Sequence, residues 1–218
     1  MKNKKVLIFL PLVLLTISLL TSGCMEQNAK AEPQYPNPPA AGDRPYVAVP
    51  EFENKSHVHR MGRGMADELV SELLNSGWFR VMSRQEIDDV LEEQNFQMNF
   101  ADSSSAVETG KLLGVKYLIY GSVTSVSESP YGLGDSKLNV SGSRIKVNAN
   151  LRMISVETGE IISAPNVRGS TVTAGVNIGG NVSLTSESQA AAAIQEANRD
   201  AVSEAVNQLI RVVQNREL

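Results

Sequence analysis

Hydrophobic and polar residues recur along this chain with two different periods, and the changes of period predict the order of its elements. Tyr46–Val49 is a short apolar run typical of a strand. Apolar residues then recur at helical spacing from Met65 to Leu74, and Gly77 follows as a natural helix cap. Trp78–Met82 is apolar again and predicts a second short strand.

Two capping-box patterns mark helix starts in the middle of the chain. Ser83 and Glu86 predict a helix that runs to about Gln94, and Ser105–Glu108 predicts another that ends near Gly114. In each pattern the serine hydroxyl accepts a bond from the backbone N–H of the glutamate, and the glutamate carboxylate accepts one from the backbone N–H of the serine. The sequence therefore predicts two consecutive helices between strands.

The second half of the chain predicts three strands and a long helix. The strands are Tyr117–Val126, Ile145–Val156 and Glu160–Ala164, the last two joined by a turn at Thr158-Gly159. Ser188–Glu217 is amphipathic over its whole length. The order β-α-β-α-α-β-β-β-α predicts an α/β (α+β) fold in which helices flank one mixed sheet.

Two segments interrupt this plan, near residues 124–143 and 164–187. Between Thr171 and Thr185 the residues alternate strictly between apolar and small or polar around a Gly179-Gly180 turn, as in a transmembrane β-hairpin. A half-exposed hairpin of a water-soluble domain alternates in the same way. The arms have about 8 residues of clean pattern, against the roughly 9–11 that cross a bilayer. Thr124–Ser143 is weaker, and a surface hairpin or loop fits it as well. The candidate membrane-facing residues are Val172, Ala174, Val176, Ile178, Val182 and Leu184.

The amino terminus has the parts of a secretory signal that ends at a cysteine. Three lysines precede an apolar run of about 15 residues, which is short for a spanning helix, and small residues follow it before Cys24. Leu20–Cys24 resembles the lipobox of bacterial lipoproteins, although Thr21 stands where that box usually has leucine. We therefore expect cleavage after residue 23 and acylation of Cys24, the only cysteine. Met25 is not the aspartate that retains lipoproteins in the inner membrane, so the periplasmic side of the outer membrane is expected.

Residues 24–45 form the predicted tether. They contain five prolines and almost no apolar periodicity, which predicts a semi-extended spacer that reaches on the order of 60 Å. Loss of Lys2, Lys4 and Lys5 with the signal moves the formal net charge from −4 to −7. So acidic a chain predicts no nucleic-acid partner and no basic patch for anionic lipid head groups.

Several patterns resemble chemistry without supporting it. His57 and His59 are two imidazoles without a third ligand, and Gly62–Gly64 lacks the third glycine of a dinucleotide loop. The acidic pairs Asp88-Asp89 and Glu92-Glu93 fit a solvated helix face. The sequence therefore predicts no catalytic residues, no metal and no cofactor.

Four segments in this order, after a lipobox, resemble the CsgG/HfaB family of curli-type secretion lipoproteins. The most specific is the strand pair closed by Val-Glu-Thr-Gly-Glu-Ile. The segments are 47–54, 78–84, 113–122 and 147–161.

This resemblance implies an outer-membrane ring in which each subunit gives two β-hairpins to a shared barrel that exports surface or fibre proteins. The two interruptions fall at the hairpin positions. Lys55–Arg60 is much shorter than the loop that narrows the pore in that family, so no constriction residues are transferred. A related family, the activators of peptidoglycan synthases, shares the domain and spacer but lacks the hairpins. A tethered periplasmic binding module without a pore therefore stands as the alternative to a homo-oligomeric channel.

Overall fold

The computed structural model describes residues 33–94, 103–135, 138–177 and 187–217. The chain divides into two units, and every described element lies in the second, Tyr35–Leu218. In chain order the elements are β1 Tyr46–Ala48, β2 Glu53–Asn54, α1 Met61–Ser76, β3 Arg80–Val81, α2 Arg84–Glu93, α3 Ser103–Leu113, β4 Tyr117–Asp135, β5 Leu138–Ser155, β6 Ile161–Ser163, β7 Asn166–Asn177 and α4 Glu187–Glu217.

The strands form one mixed sheet, as predicted. The strand order is β3-β1-β4-β5-β6, with β2 beside β4 and β7 beside β5. The strands on the β1 side of the sheet pair in parallel, whereas β5 pairs antiparallel with β4, β6 and β7. Short connections suffice for the antiparallel pairs, and α1 and the α2–α3 pair make the parallel crossovers.

Helices cover both faces of the sheet body. On the face that we call the inner face, α1 and α4 bury a core with β4, β5 and β7 that includes Leu69, Leu209 and Val147. On the opposite, outer face, α2 and α3 bury a smaller core around Ile87 and Leu118. Two apolar faces of one sheet are thereby removed from water, which is the main source of stability in such a fold.

One glycine sets how closely α4 approaches the sheet. A Cβ at Gly169 in β7 would lie 1.7 Å from the carbonyl oxygen of Ala197 and 2.7 Å from the nitrogen of Ala201. Both are backbone atoms of α4, so no side chain can turn away to make room. Gly169 thus marks the point where the helix crosses β7 at backbone contact.

The first capping box is confirmed and the second is wrong. Ser83 accepts from the backbone N–H of Glu86, whose carboxylate accepts from the Ser83 backbone, and the helix begins at Arg84. The second helix begins at Ser103, so Ser105 already lies within it. The carbonyl of Ser105 accepts from the Thr109 hydroxyl at 2.8 Å, an i to i−4 contact of a helix interior.

Two predicted strands are much longer than their apolar patterns. The strand predicted over Tyr117–Val126 continues to Asp135, and the one predicted from Ile145 begins at Leu138. Thr124–Ser143, for which a loop was an equal alternative, is a hairpin paired residue by residue up to Asp135 and Leu138. The long carboxyl-terminal helix begins within one residue of its predicted start.

Candidate membrane-inserting site

Three strands continue beyond the sheet body as a narrow ribbon. The ribbon is the part of β4, β5 and β7 above the rung Val126–Val147–Gly169: residues 127–135, 138–146 and 170–177. The strands stay in register to their described ends, where Asp135 faces Leu138 and Asn139 faces Asn177. Each arm is thus about eight or nine residues long, at the lower limit for a tilted strand that crosses a bilayer.

Polarity inverts between the two faces along the ribbon. In the sheet body, inner-face residues such as Val126, Val147 and Val167 are buried against helices. Above Ile145, the inner-face positions hold only small or polar residues and one proline. These positions are Pro130, Gly132, Gly134, Asn139, Ser141, Ser143, Thr173, Gly175 and Asn177.

The outer face changes in the opposite sense. At the base of the ribbon its positions are serines, Asn148 and cations, whereas further out they are mainly apolar. Val172 is the first of these apolar positions on β7 and is 45% exposed. The apolar outer-face positions are Tyr131, Leu133, Leu138, Val140, Val172, Ala174 and Val176.

A β-bulge keeps the apolar residues of β4 on the inner face up to the ribbon. The register shifts between Val123 and Ser125, and the Thr124 hydroxyl donates to the carbonyl of Asn148 at 3.1 Å. Val123 and Val126, an odd number of residues apart, consequently both belong to the inner-face core. The inversion of polarity begins only beyond this bulge.

The structure places some of the predicted membrane-facing residues together. Val172, Ala174 and Val176 occupy successive outer-face positions of β7, as their alternation predicted. Ile178, Val182 and Leu184 lie outside the described residues, as does the predicted turn. Sequence reasoning missed Tyr131 and Leu133, because the faces to which they belong depend on the register with β5.

The inner face of the ribbon carries direct polar contacts between strands. The Thr173 hydroxyl donates to the carbonyl of Ser143 at 3.1 Å and accepts from its backbone N–H at 3.1 Å. Both residues are half-buried. These contacts satisfy the Thr173 hydroxyl as both donor and acceptor and join β7 to β5 on this face.

Both long edges of the ribbon are open in the described part of the chain. The partner of β4 on that side, β2, reaches only Ser122 and Val123, so Ser125–Asp135 pairs on one side alone. On the other side, the Ser170 N–H donates to Asp200 Oδ2 of α4 at 3.3 Å, and Thr171–Asn177 of β7 pairs only with β5 among the described residues. A row of open backbone groups on each edge is a template for further strands.

A polar cleft of about 550 Å³ lies at the base of the ribbon, beside the bulge. It is lined by Ser125, Asn148 and Arg168, among others, with Glu204 as its acidic residue. Asn148 accepts from Arg168 Nε at 2.8 Å and donates to Ser125 Oγ at 2.9 Å. Asn148 thus links Ser125 of β4 to Arg168 of β7 across the cleft.

The end of the predicted tether is bound to the domain. We call Tyr35–Pro45 the strap. The Tyr35 hydroxyl donates to Glu72 of α1, and Trp78 Nε1 donates to the carbonyl of Pro36 at 2.8 Å. Burial, followed by the bond to Glu72, raises the pKa of Tyr35 above its ordinary value. The compact unit thus begins about ten residues before the predicted domain start at Tyr46.

The other residues singled out from the sequence lie apart from the ribbon's apolar face. His57 and His59 are exposed in the loop before α1, and Asp88-Asp89 lie on the exposed side of α2. No group of three or more histidine, cysteine or acidic residues is placed to bind a metal in the described ranges. None of the helices in those ranges is both long and apolar enough to cross a membrane. Cys24 lies outside them.

Comparison with solved structures identifies the fold. A neuraminyllactose-binding hemagglutinin homolog from Helicobacter pylori has a TM-score of 0.50 and 13% identity, covering 86% of this chain and 98% of its own. The PelC dodecamer structure from Paraburkholderia phytofirmans has a TM-score of 0.41 and 13% identity, covering 81% and 93%. The LpoB C-terminal domain from Salmonella enterica has a TM-score of 0.40 and 19% identity, covering 58% and 82%. The likeness concerns the fold alone.

Family comparison is more specific than the fold. Among curated proteins, no sequence matches this chain. A family model described as curli production assembly/transport component CsgG matches residues 29–218. This match covers all of the described strands and helices, including the three strands of the ribbon. The resemblance inferred from four short segments is thereby confirmed, and the chain belongs to the CsgG family of curli production assembly/transport components.

Proposed function

We propose that this protein is a lipid-anchored subunit of an outer-membrane ring that exports surface or fibre proteins, and that its ribbon forms transmembrane strands of a shared barrel. The observation that carries the proposal is the inversion of polarity along β4, β5 and β7. A water-soluble sheet has no reason to move its apolar residues from a covered face to an uncovered one. A strand that leaves a protein core and enters lipid must move its apolar residues to the outer face. There the outer face contacts hydrocarbon, and the inner face contacts a water-filled lumen.

The open edges of the ribbon connect insertion with assembly. Unpaired backbone N–H and C=O groups do not occur against lipid, because each costs several kcal/mol without a hydrogen-bond partner. Three described strands cannot close a barrel around themselves. The edges at Ser125–Asp135 and Thr171–Asn177 must therefore pair with further strands. Strands after Asn177 and from neighbouring copies would supply them, so the inserted state is a closed homo-oligomer.

Within this proposal Cys24 carries the lipid that holds the protein at the periplasmic side of the outer membrane before and after assembly. Its thiol is consumed by the acylated thioether. A cysteine introduced elsewhere would then be the only reactive thiol, because the chain has one cysteine. This makes the native lipoprotein itself suitable for site-specific labelling.

The decisive test compares neighbouring positions on opposite faces of β7. Val172→Cys and Thr173→Cys, each labelled with an environment-sensitive dye in outer-membrane vesicles, should differ. We expect a blue-shifted emission that lipid-phase quenchers reduce at position 172 and a water-like emission at position 173. Water-like emission at both positions would overturn insertion. The unsubstituted protein is the control, and labelling of Cys24 in it would overturn acylation.

A tethered periplasmic binding module that regulates a cell-envelope enzyme is the second candidate. The low aromatic content of the ribbon favours this module. Transmembrane barrels carry girdles of aromatic residues at both membrane surfaces, whereas the described strands of the ribbon contain one aromatic residue, Tyr131. This module would stay monomeric after extraction in mild detergent, whereas the channel would migrate as a ring in native gels and show annular particles in negative stain. A strictly monomeric extract would refute the channel, and liposome-inserted rings would refute the module.

A further inference from the structure

The backbone groups of the ribbon alternate in direction, and three contacts fix which residues face its open edges. Each residue of an antiparallel ladder points its N–H and C=O to one side, and the next residue points its own to the other side. The Leu151 N–H donates to the carbonyl of Pro165, directly before β7, and both backbone groups of Ser143 bond to Thr173 Oγ1. The odd-numbered residues of β5 therefore face β7, and its even-numbered residues face β4.

This alternation brings a proline to the open edge of β4. Beyond the bulge, the even-numbered residues of β5 pair with odd-numbered residues of β4, for example Lys146 with Ser127. The backbone groups of the even-numbered residues of β4 consequently point to the open edge. These edge positions are Glu128, Pro130, Gly132 and Gly134. Proline has no N–H, so Pro130 interrupts the row of donors with which a further strand would pair.

A carboxylate occupies the open edge of β7 in a similar way. The even-numbered residues of β7 face away from β5, and accordingly the Ser170 N–H donates to Asp200 Oδ2 of α4 at 3.3 Å. The helix reaches the strand here because Gly169 allows the two backbones to touch. The donor of Ser170 is therefore already used, and the next edge-facing N–H towards the tip is that of Val172. We call Pro130 and the Ser170–Asp200 bond the edge stops.

Each edge stop lies directly below the first apolar outer-face position of its own strand. Ser170 is two residues before Val172 on β7, and Pro130 is one residue before Tyr131 on β4. The edges are thus interrupted where the apolar band begins and are uninterrupted within it. Two unrelated devices, a missing N–H and a bonded one, coincide with the same boundary.

The positions of the two stops also fit a tilted barrel. Pro130 is level with Thr173 through Ser143, which is three residues or about 10 Å above Ser170, and β4 and β7 are two strand spacings or about 9.5 Å apart. A membrane surface through both stops would tilt the strands by about 45° from the bilayer normal, and the first apolar positions give about 35° in the same sense. Strands of transmembrane barrels tilt by about 35–45°.

We propose that the edge stops confine strand addition between neighbouring copies of this chain to the part of the ribbon that lies in lipid. The inference rests on the proposed function, which supplies the membrane and the second copy. Within lipid, each edge group needs a partner, whereas water satisfies the same groups below the membrane surface. Pairing can therefore end at the stops without loss, and the stops shorten the edge that an unassembled subunit exposes to wrong partners.

The strand that pairs with β4 comes from a second copy. In the same copy, β2 ends beside Val123, and the alternating segment Thr171–Thr185 starts from the opposite edge of the ribbon, two strand spacings away. A contact of the β7 side of one copy with the β4 side of the next is head-to-tail, and such contacts close into rings. Pro130 then sets the register of this contact, because the first edge donor above it is Gly132.

The test measures which edge N–H groups become protected from hydrogen exchange on assembly. Exchange is followed at single residues, at Glu128 below the stop and at Gly132 above it, in detergent-extracted rings of the lipoprotein. The same measurement in water uses residues 25–218, which contain the whole compact unit. Pro130→Ala removes the stop. Ser127→Ala is the matched control, because Ser127 is exposed on the same strand and its backbone groups face β5.

We expect exchange at Gly132 to be roughly a hundredfold slower in wild-type rings than in the monomer, with Glu128 unchanged. In Pro130→Ala rings, exchange at Glu128 should slow by roughly tenfold or more, because pairing then continues past residue 130. Ser127→Ala should behave like the wild type. Wild-type rings that protect Glu128 as strongly as Gly132, or Pro130→Ala rings that leave Glu128 unprotected, would overturn the stop at Pro130.

The stop on β7 is tested in the monomer. Asp200→Ala should speed exchange at the Ser170 N–H by roughly tenfold, whereas Asp200→Asn, whose amide oxygen still accepts, should change it little. Equal exchange in the wild type and both variants would overturn this stop. Thermal unfolding of each variant shows whether α4 remains folded.

The measurement in water separates this inference from the proposed function. In sedimentation, Pro130→Ala should self-associate roughly tenfold more tightly than the wild type, with Glu128 protected, and Ser127→Ala should not. If no variant forms rings but Pro130→Ala associates in this way, the stop is supported and the ring is overturned. Rings in which the stop has no effect on Glu128 overturn the stop and leave the ring intact. A Pro130→Ala variant that associates neither in detergent nor in water overturns both.

Discussion

An arginine at Val176 should separate the two candidate functions by its effect on insertion alone. Val176 is an outer-face position in the third of four apolar rungs, about 13 Å along β7 from Val172 and therefore near the middle of the band. An arginine on the lipid-facing side of a barrel strand costs about 2–4 kcal/mol near the bilayer midplane. This corresponds to a decrease of roughly 30-fold to 900-fold in the equilibrium constant for insertion of one subunit. In a ring, every copy carries the same penalty.

The matched control lies one residue away. Asn177 occupies an inner-face position, opposite Asn139, so Asn177→Arg places the same charge on the side that would face a wet lumen. We expect Val176→Arg to abolish rings that resist extraction and dye efflux from vesicles, while Asn177→Arg retains both.

Thermal unfolding of residues 25–218 without lipid provides the second control. Substitutions that touch no core, cap or buried network usually change stability by less than about 0.5 kcal/mol, so we expect both variants to unfold like the wild type. The reasoning is refuted if Val176→Arg inserts normally, or if the two variants lose insertion equally. A soluble binding module predicts equal behaviour, because neither position then contacts lipid.

Three further predictions concern the fold that supports the ribbon. Gly169→Ala should lose roughly 1–3 kcal/mol in urea unfolding, because its Cβ would overlap the backbone of α4, whereas Gly64→Ala, with open space around it, should gain about 0.5–1 kcal/mol. Tyr35→Phe should make the strap more sensitive to protease, because the hydrogen bond to Glu72 is lost. In the wild type this bond requires the neutral phenol, and the pKa of Tyr35 is raised. The bond should therefore persist below pH 10 and be lost only as the pH rises through the raised pKa, which an ultraviolet titration of the tyrosine measures. Ser83→Ala should lower the melting temperature by roughly 2–4 °C at pH 7, and the difference should shrink as acid protonates Glu86, whose pKa the Ser83 hydroxyl and N–H lower.

Local chemistry made the elements of the sheet body predictable. Four adjacent residues, 83 to 86, predict the Ser83–Glu86 cap, and a stripe of apolar residues along its full length predicts α4. Ser105 misled because a serine three residues before a glutamate is also compatible with a helix interior, where the start is fixed by the residues before it. The Ser-x-x-Glu pattern alone therefore does not identify a helix start.

The ribbon was less predictable because its signal is distributed over three strands. Ser127–Asp135 contains only two large apolar residues, Tyr131 and Leu133, too few to show an alternation by itself. They become an apolar face only when the register sets Leu133 beside Val140 and Val140 beside Val176. The bulge at Thr124 also shifts the pairing register of β4 with β5 by one residue. The alternation of apolar residues is interrupted there, as it would be at the end of a strand.

The strap changes what the tether can do. Since α1 and α4 run in the same direction, with Gly64 beside Asn198 and Glu68 beside Arg199, their amino-terminal ends lie towards the ribbon. Pro38 packs at Gly77, just past the end of α1, whereas Tyr35 bonds to Glu72, one turn earlier. From Pro45 back to Tyr35, the strap therefore runs along α1 towards the ribbon.

The remaining reach favours attachment at one membrane. Tyr35 meets α4 at Ser203, about 9 Å along the helix from the crossing at Gly169, and the apolar band begins about 10 Å beyond that glycine. Ten residues of sequence, 25 to 34, separate the strap from Cys24, and a chain of ten residues reaches at most about 35 Å. The proposed acyl anchor on Cys24 would therefore keep Tyr35 within about 35 Å of the bilayer. A binding module that acts at a distance would require a free strap, so the clamp at Tyr35 and Trp78 favours the inserted subunit over the mobile one.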